Sequence, residues 1–304
     1  MSIEIVGPEI EPKLDWLKLT EAIEAGHRLP RAEVGDTFLR RKGDTLLTRS
    51  AWIDGMGLAV KAATIFPDNP KAGIPSIDGS VTLYNDADGR PEALVAFKLV
   101  TKWKTAGDSL LSARLLARKD TSRILIVGAG AVATSMVEAY RAVFPAAHFA
   151  IWARNPEAAK AFADETGAEP EADLEQAVGK ADVIATATMA TSPVILGKWL
   201  RPGTHLDLIG AYRADIREVD DEAMRRARIF VDSRATTIHH IGEIMKPIAS
   251  GAISEADVLG DFYDIAGGGF ARQGDDDITI AKNGGGAHLD LMTARYILGV
   301  ARRT

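Results

Sequence analysis

The run Ile124-Leu125-Ile126-Val127 leads directly into Gly128-Ala129-Gly130, and Ala133 follows three residues later. Four apolar residues bounded by a glycine turn are too few for a helix and predict a buried strand. A helix is predicted next, from Ala131 to about Val143. In that context Gly128, Gly130 and Ala133 form a G-x-G-x-x-A turn. The first glycine permits a tight turn, and the second lets a pyrophosphate approach the backbone. The small third residue lets helix and strand pack closely. The unpaired N–H groups at the helix start, at Ala131 and Val132, then face the phosphates. A lone glycine pattern is weak. Between a strand and a helix it predicts a dinucleotide site.

The segments that follow alternate. Strands are expected at Phe149–Trp152, Val183–Ala187, His205–Ile209 and Ile229–Val231. Helices are expected at Pro156–Thr166, Asp173–Val178 and Asp221–Arg226. Such alternation implies a parallel sheet with helices on both faces. Residues 1–118 read differently. A helix is expected at Trp16–Ala25, and strands at Thr37–Arg41, Thr45–Trp52 and Leu58–Phe66. Ser80–Asn85 and Ala93–Val100 flank a hairpin turn at Asp86-Ala87-Asp88-Gly89, and Ser109–Arg118 reads as a helix. The last helix, Leu289–Ala301, commonly returns to another domain in such chains. The expected fold class is α/β: a Rossmann-type doubly wound sheet plus a second α/β domain. With 304 residues the chain is long enough for two domains. They are expected at 1–118 with 285–304, and at 119–284.

Composition excludes several functions. There is no cysteine, hence no disulfide, thiolate metal site or cysteine nucleophile. The formal charge of −6 argues against nucleic-acid or anionic-membrane partners. No apolar run approaches the roughly 20 residues of a membrane helix. Met1-Ser2-Ile3-Glu4 lacks a basic, apolar leader, so a cytoplasmic protein is expected. His239-His240 with Glu243 lacks ligand spacing for a metal, and none is expected. Asp275-Asp276-Asp277 reads as a solvated charge run.

The end of the second strand selects the coenzyme. An NAD site places an acid there for the ribose 2′-hydroxyl. Here the chain reads Trp152-Ala153-Arg154-Asn155-Pro156, and a guanidinium suits a 2′-phosphate. NADP is therefore favoured over NAD, with Arg154 and Asn155 at the adenosine end. Glu157, one residue farther on, is the competing acid. Thr186, Ala187 and Thr188 end the next strand, where small residues would admit the nicotinamide ribose.

Farther upstream, Lys61-Ala62-Ala63-Thr64-Ile65-Phe66-Pro67-Asp68-Asn69-Pro70 is followed by Gly73-Ile74-Pro75-Ser76, Asp88-Gly89-Arg90-Pro91 and Lys104-Thr105-Ala106-Gly107. Together with Arg217-Glu218-Val219-Asp220, Val231-Asp232-Ser233 and Asp277-Ile278-Thr279, these segments resemble the ornithine cyclodeaminase/mu-crystallin family. The resemblance runs from about residue 55 to the end. It implies an N-terminal domain, joined by the C-terminal helix, that binds substrate and forms a homodimer. It also implies hydride transfer between a nicotinamide and the α-carbon of an amino or imino acid.

The resemblance assigns the lysine of the active site to Lys61, where it binds a carboxylate or relays a proton. Lys104 occupies a position usually held by arginine, so a point charge replaces a bidentate fork. A further arginine upstream of Lys61 grips the carboxylate in the family. Arg40, Arg41 and Arg49 are candidates, and Arg49 is preferred because it shares a strand face with Leu47. Asp290 aligns with a family acid. Tyr212 falls where cyclodeaminating members carry aspartate. A phenol, with an ordinary pKa near about 10, is a poor acid/base for ring closure and ammonia loss. Tyr212 is read as a substrate-pocket residue.

The reading is therefore an NADP-dependent reductase of a small cyclic imino acid. The alternatives, in order, are an amino-acid dehydrogenase or open-chain imino-acid reductase, an ornithine cyclodeaminase, and a non-catalytic NADPH-linked ligand-binding protein.

Overall fold

A computed structural model describes residues 3–304. Met1 and Ser2, part of the N-terminal segment read above, lie outside the described residues. The chain forms two compact units, Met1–Lys104 with Gly286–Thr304, and Thr105–Gly285. The division falls inside one continuous helix, whereas the sequence suggests a boundary after residue 118.

The first unit contains β1 (Glu4–Val6), α1 (Trp16–Gly26), β2 (Glu33–Arg41), β3 (Asp44–Ile53), β4 (Gly57–Ile65), β5 (Ile77–Tyr84) and β6 (Pro91–Ala96). Helix α2 (Phe97–Leu116) starts directly from β6. The six strands form one sheet in the order β1-β6-β5-β4-β3-β2. β1 runs parallel to β6, and the remaining neighbours are antiparallel.

The expected strand Ala93–Val100 is thus half right. Ala93 and Val95 alternate inward as a strand does, but Phe97, Val100 and Trp103 are buried at helical spacing. An unbroken apolar run hides this change of period, which is why the helix expected from Ser109 begins twelve residues earlier.

The second unit continues with β7 (Arg123–Val127), α3 (Ala131–Val143), β8 (His148–Trp152), α4 (Pro156–Thr166), β9 (Glu169–Pro170), α5 (Leu174–Lys180) and β10 (Val183–Thr186). Then come β11 (His205–Leu208), α6 (Asp221–Arg226), β12 (Ala227–Val231), α7 (Arg234–Thr237), α8 (Gly242–Ala249), β13 (Val258–Gly260) and β14 (Ile278–Lys282). All strand pairs in this sheet are parallel, in the order β13-β12-β14-β11-β10-β7-β8-β9. The order reverses between β7 and β10, the arrangement of a Rossmann-type α/β fold. Its strands read as near-continuous apolar runs because both faces are covered. α8 and β14 were not legible in advance. β14 is only five residues long and follows a glycine- and aspartate-rich loop.

The chain ends in α9 (Ala287–Ala301), which belongs to the first unit. It packs on β3, β4 and β5 and against α1. Gly26 lets Met292 pack closely at that helix contact, since a Cβ there would lie 2.7 Å from Met292 Sδ.

Candidate active site

In the first unit the ladder aligns Asp36, Arg49, Lys61, Val81 and Val95 across five strands. Directly opposed residues share a face, so Arg49 and Lys61 project from the same side of the sheet. That side is the buried one, with Ala51, Ala59, Ala63, Leu83 and Ala93. Lys61 therefore enters an apolar layer, and its ammonium finds two partners. It donates to Asp290 Oδ1 at 2.8 Å, and it lies 4.9 Å from the Phe97 ring centroid. Burial pushes Lys61 below the usual lysine range. Asp290 opposes that shift, and the charge of Lys104 reinforces it.

Asp290 is held low in the opposite balance. Burial pushes it up, and the charges of Lys61 and Lys104 outweigh that push. His288, two residues before it, is pushed down to about 4 by burial and by Lys104. It is a neutral imidazole at pH 7, edge-on to His27 at 5.4 Å between centroids. Asp290 Oδ2 and His288 Nε2 are buried without hydrogen-bond partners. Buried polar atoms normally find partners, so two free acceptor or donor positions beside two lysines suit a polar ligand.

The structure thus brings Lys61, Lys104, Arg49 and Asp290 together. Arg49 is half-buried and gives Asp36 a two-pronged contact at 2.8–3.1 Å. Arg40 and Arg41 are exposed and lie elsewhere: Arg40 covers Phe38 at 5.0 Å, and Arg41 is 3.6 Å from Asp44. Tyr212 belongs to the second unit and is 53% exposed, with Arg213 5.2 Å over its ring. Asp36, Phe97 and His288 were missed in the sequence. The last could not be found there, because its neighbourhood depends on α9 returning to β4.

In the second unit Gly128 adopts φ +112°, and a Cβ on it would lie 2.5 Å from Ala187 O. Only glycine fits both conditions. Gly130 begins α3 with no side-chain cap and with open space where a Cβ would stand. Ala131 and Val132 are exposed in the first turn, whereas Ala133 is fully buried against the sheet. An open, uncapped helix start of this kind accepts an anionic group, and a dinucleotide pyrophosphate fits it. Arg154 is exposed just after β8. Asn155 caps α4, accepting from Glu157 N at 3.1 Å.

Ala187 and Thr188 are half-buried past the end of β10. Thr186 is fully buried, and its hydroxyl donates to Glu218 Oε2 at 2.8 Å. Its side chain is therefore turned to Glu218 and is not presented to a ligand.

His239 and His240 are exposed in the turn after α7 rather than on a helix, and His239 lies 3.7 Å from Glu255. Among the described residues no cluster of His, Asp and Glu could hold a metal ion. Asp277 is less solvated than its neighbours, accepting from Gln273 N and Gly274 N at 3.1 and 2.9 Å. Among the described residues no helix is long and apolar enough to cross a membrane.

Residues 40–304 match the family model of the ornithine cyclodeaminase/mu-crystallin family. The chain is 51% identical over 295 residues to Delta(1)-pyrroline-2-carboxylate reductase of Paracoccus denitrificans, covering 95% of this chain and 93% of that protein. Its fold matches Thermococcus litoralis Delta(1)-pyrroline-2-carboxylate reductase in complex with NADH and L-proline. That match has a TM-score of 0.89 and 28% identity, over 99% of this chain and 98% of the other. An archaeal alanine dehydrogenase dimer with bound NAD matches equally well, with a TM-score of 0.89 and 27% identity over 100% and 97% of the two chains. With residues 40–304 matching the family model and 95% of its length matched to a relative at 51% identity, the chain belongs to the ornithine cyclodeaminase/mu-crystallin family.

Proposed function

We propose that this chain is an NAD(P)-dependent oxidoreductase that reduces a small cyclic imino acid to the L-amino acid. The substrate is Δ1-pyrroline-2-carboxylate or Δ1-piperideine-2-carboxylate, and NADPH is the preferred reductant. The observation that carries this reading is the buried Lys61–Asp290 pair beside Lys104 and Arg49. The 51% identity to a pyrroline-2-carboxylate reductase supports it.

The reaction adds hydride to the imine carbon and a proton to its nitrogen. The reduced nicotinamide, when bound, supplies the hydride. The chain supplies the rest. Lys104 and Arg49 hold the carboxylate, which replaces some of the solvation lost on entering the pocket. Lys61 presents a proton toward the imine nitrogen. Burial makes it a better acid than a solvated lysine, and Asp290 opposes that shift. Gly128, Gly130, Ala131 and Val132 would hold the pyrophosphate. Arg154 favours a 2′-phosphate, although the solved relatives above contain NADH and NAD. Tyr212 in place of an aspartate disfavours cyclodeamination.

The first unit is assigned to substrate binding and dimerisation. β2 is exposed along its whole length, and on the face opposite Lys61 the exposed side chains of Leu39, Leu46 and Trp52 form an apolar surface. A second copy of the chain would bury it. Sedimentation should give a dimer, and Trp52→Glu should shift it toward monomer; a wild-type monomer at micromolar concentration contradicts this.

The activity is tested with NADPH and NADH against a panel of cyclic and open-chain imino acids. Lys61→Ala and Lys104→Ala serve as controls that retain coenzyme binding and lose turnover. Dependence on ammonia with a 2-oxo acid would move the assignment to the amino-acid dehydrogenase alternative.

A further inference from the structure

Glu218 is fully buried in the second unit, and its carboxylate collects four donors. Oε1 accepts from Thr188 N at 2.9 Å and Thr188 Oγ1 at 2.7 Å. Oε2 accepts from Thr186 Oγ1 at 2.8 Å and Gly210 N at 2.9 Å. These donors stand at the carboxyl ends of β10 and β11. The same ends are tied onward through the backbone. Ile209 N reaches Thr186 O at 3.1 Å, Ala187 N reaches Val127 O at 2.8 Å, and Gly128 N reaches Trp152 O at 2.9 Å.

The backbone of Glu218 is itself immobilised. Glu243, fully buried, accepts from Glu218 N at 2.6 Å and from Val219 N at 3.0 Å. On the other side Val194 N and Ile195 N both donate to Glu218 O. Gly210 has no alternative, because a Cβ there would collide with Thr188 O and with Glu218 Oε1. The buried ammonium of Lys282 lies within electrostatic reach of both carboxylates.

We propose that Glu218 is a positioning residue for the nicotinamide half of the coenzyme, fixing Ala187, Thr188 and Gly210 as one platform at the ends of β10 and β11. This rests on the dinucleotide reading given above. In a sheet of this order the adenosine end goes to the β8 side of the switch point, and the other half goes to the β10 side. A carboxylate is the side chain that fits, since it accepts at both oxygens and donates at neither. Each oxygen serves one hydroxyl and one backbone N–H. The hydroxyls can turn, but the N–H groups cannot. A glutamine in either orientation therefore sets its amide N–H₂ against Thr188 N–H or Gly210 N–H.

The test uses the full chain as wild type, Glu218→Gln and Thr186→Val. NADH is compared with ADP-ribose, and NADPH with 2′-phospho-ADP-ribose, by calorimetry. Glu218→Gln should weaken the intact coenzymes by about tenfold. Each ribose fragment, which lacks nicotinamide, should stay within about twofold. Thr186→Val removes one donor at constant shape and should act in the same direction by about threefold. It carries the test if Glu218→Gln does not fold. Parallel weakening of coenzyme and fragment would make Glu218 merely structural and overturn the proposal. Unchanged coenzyme affinity in both variants would overturn it too. A wild type that binds neither fragment would overturn the dinucleotide reading along with it.

Discussion

Lys61 Nζ donates to Asp290 Oδ1 at 2.8 Å, joining a β-strand to a helix 229 residues later in the chain. The pair lies in an apolar layer, and neither member would be tolerated there alone. Replacing Asp290 by asparagine removes the carboxylate that raises the Lys61 pKa and leaves the burial that lowers it. The basic limb of kcat/KM, where Lys61 loses its proton, should therefore move to lower pH in Asp290→Asn. The rate at neutral pH should fall by about tenfold to a hundredfold. A pH–rate profile checks this, and an unmoved basic limb would detach Asp290 from the chemistry.

Arg154 is exposed at the end of β8 and free to meet a phosphate. Arg154→Ala should weaken NADPH by about tenfold or more, the scale of a charge-assisted contact, and NADH by less than about twofold. Fluorescence titration separates the two. Equal weakening would remove the 2′-phosphate assignment and favour NAD.

His288 is pushed down to about 4 in the folded protein from the ordinary 6.5. Between those values the unfolded chain binds more protons than the folded one, so stability falls as pH falls through that window. At pH 5 the cost relative to pH 7 is about 2 kcal/mol. His288→Gln has no such proton to take up. Urea unfolding at both pH values should show wild type losing about 2 kcal/mol more than the variant. Equal losses would mean that the imidazole is not held neutral by its surroundings.

The dinucleotide half of this molecule was largely legible in the sequence, because its signals are local. Ile124–Val127, the glycine turn and α3 are contiguous, and Pro156–Thr166 and Asp221–Arg226 match α4 and α6 residue for residue. What stayed hidden depends on contacts between distant segments. Asp290 entered only through the family resemblance, and nothing near Lys61 announces His288. Arg49 could be preferred over Arg40 and Arg41 only by strand parity, and the ladder places it directly opposite Lys61. Glu218 lay in a segment already noted for its resemblance, but its use at the ends of β10 and β11 needs the sheet order.

We propose hydride delivery to a carboxylated C=N bond held by Lys61, Lys104 and Arg49. Purified protein mixed with NADPH and Δ1-pyrroline-2-carboxylate tests it most directly, with loss of reduced-nicotinamide absorbance and chiral analysis of the product as readouts. The expected result is stoichiometric NADPH oxidation with L-proline formed, absent in Lys61→Ala. No oxidation with any cyclic or open-chain imino acid, using either coenzyme, would contradict it.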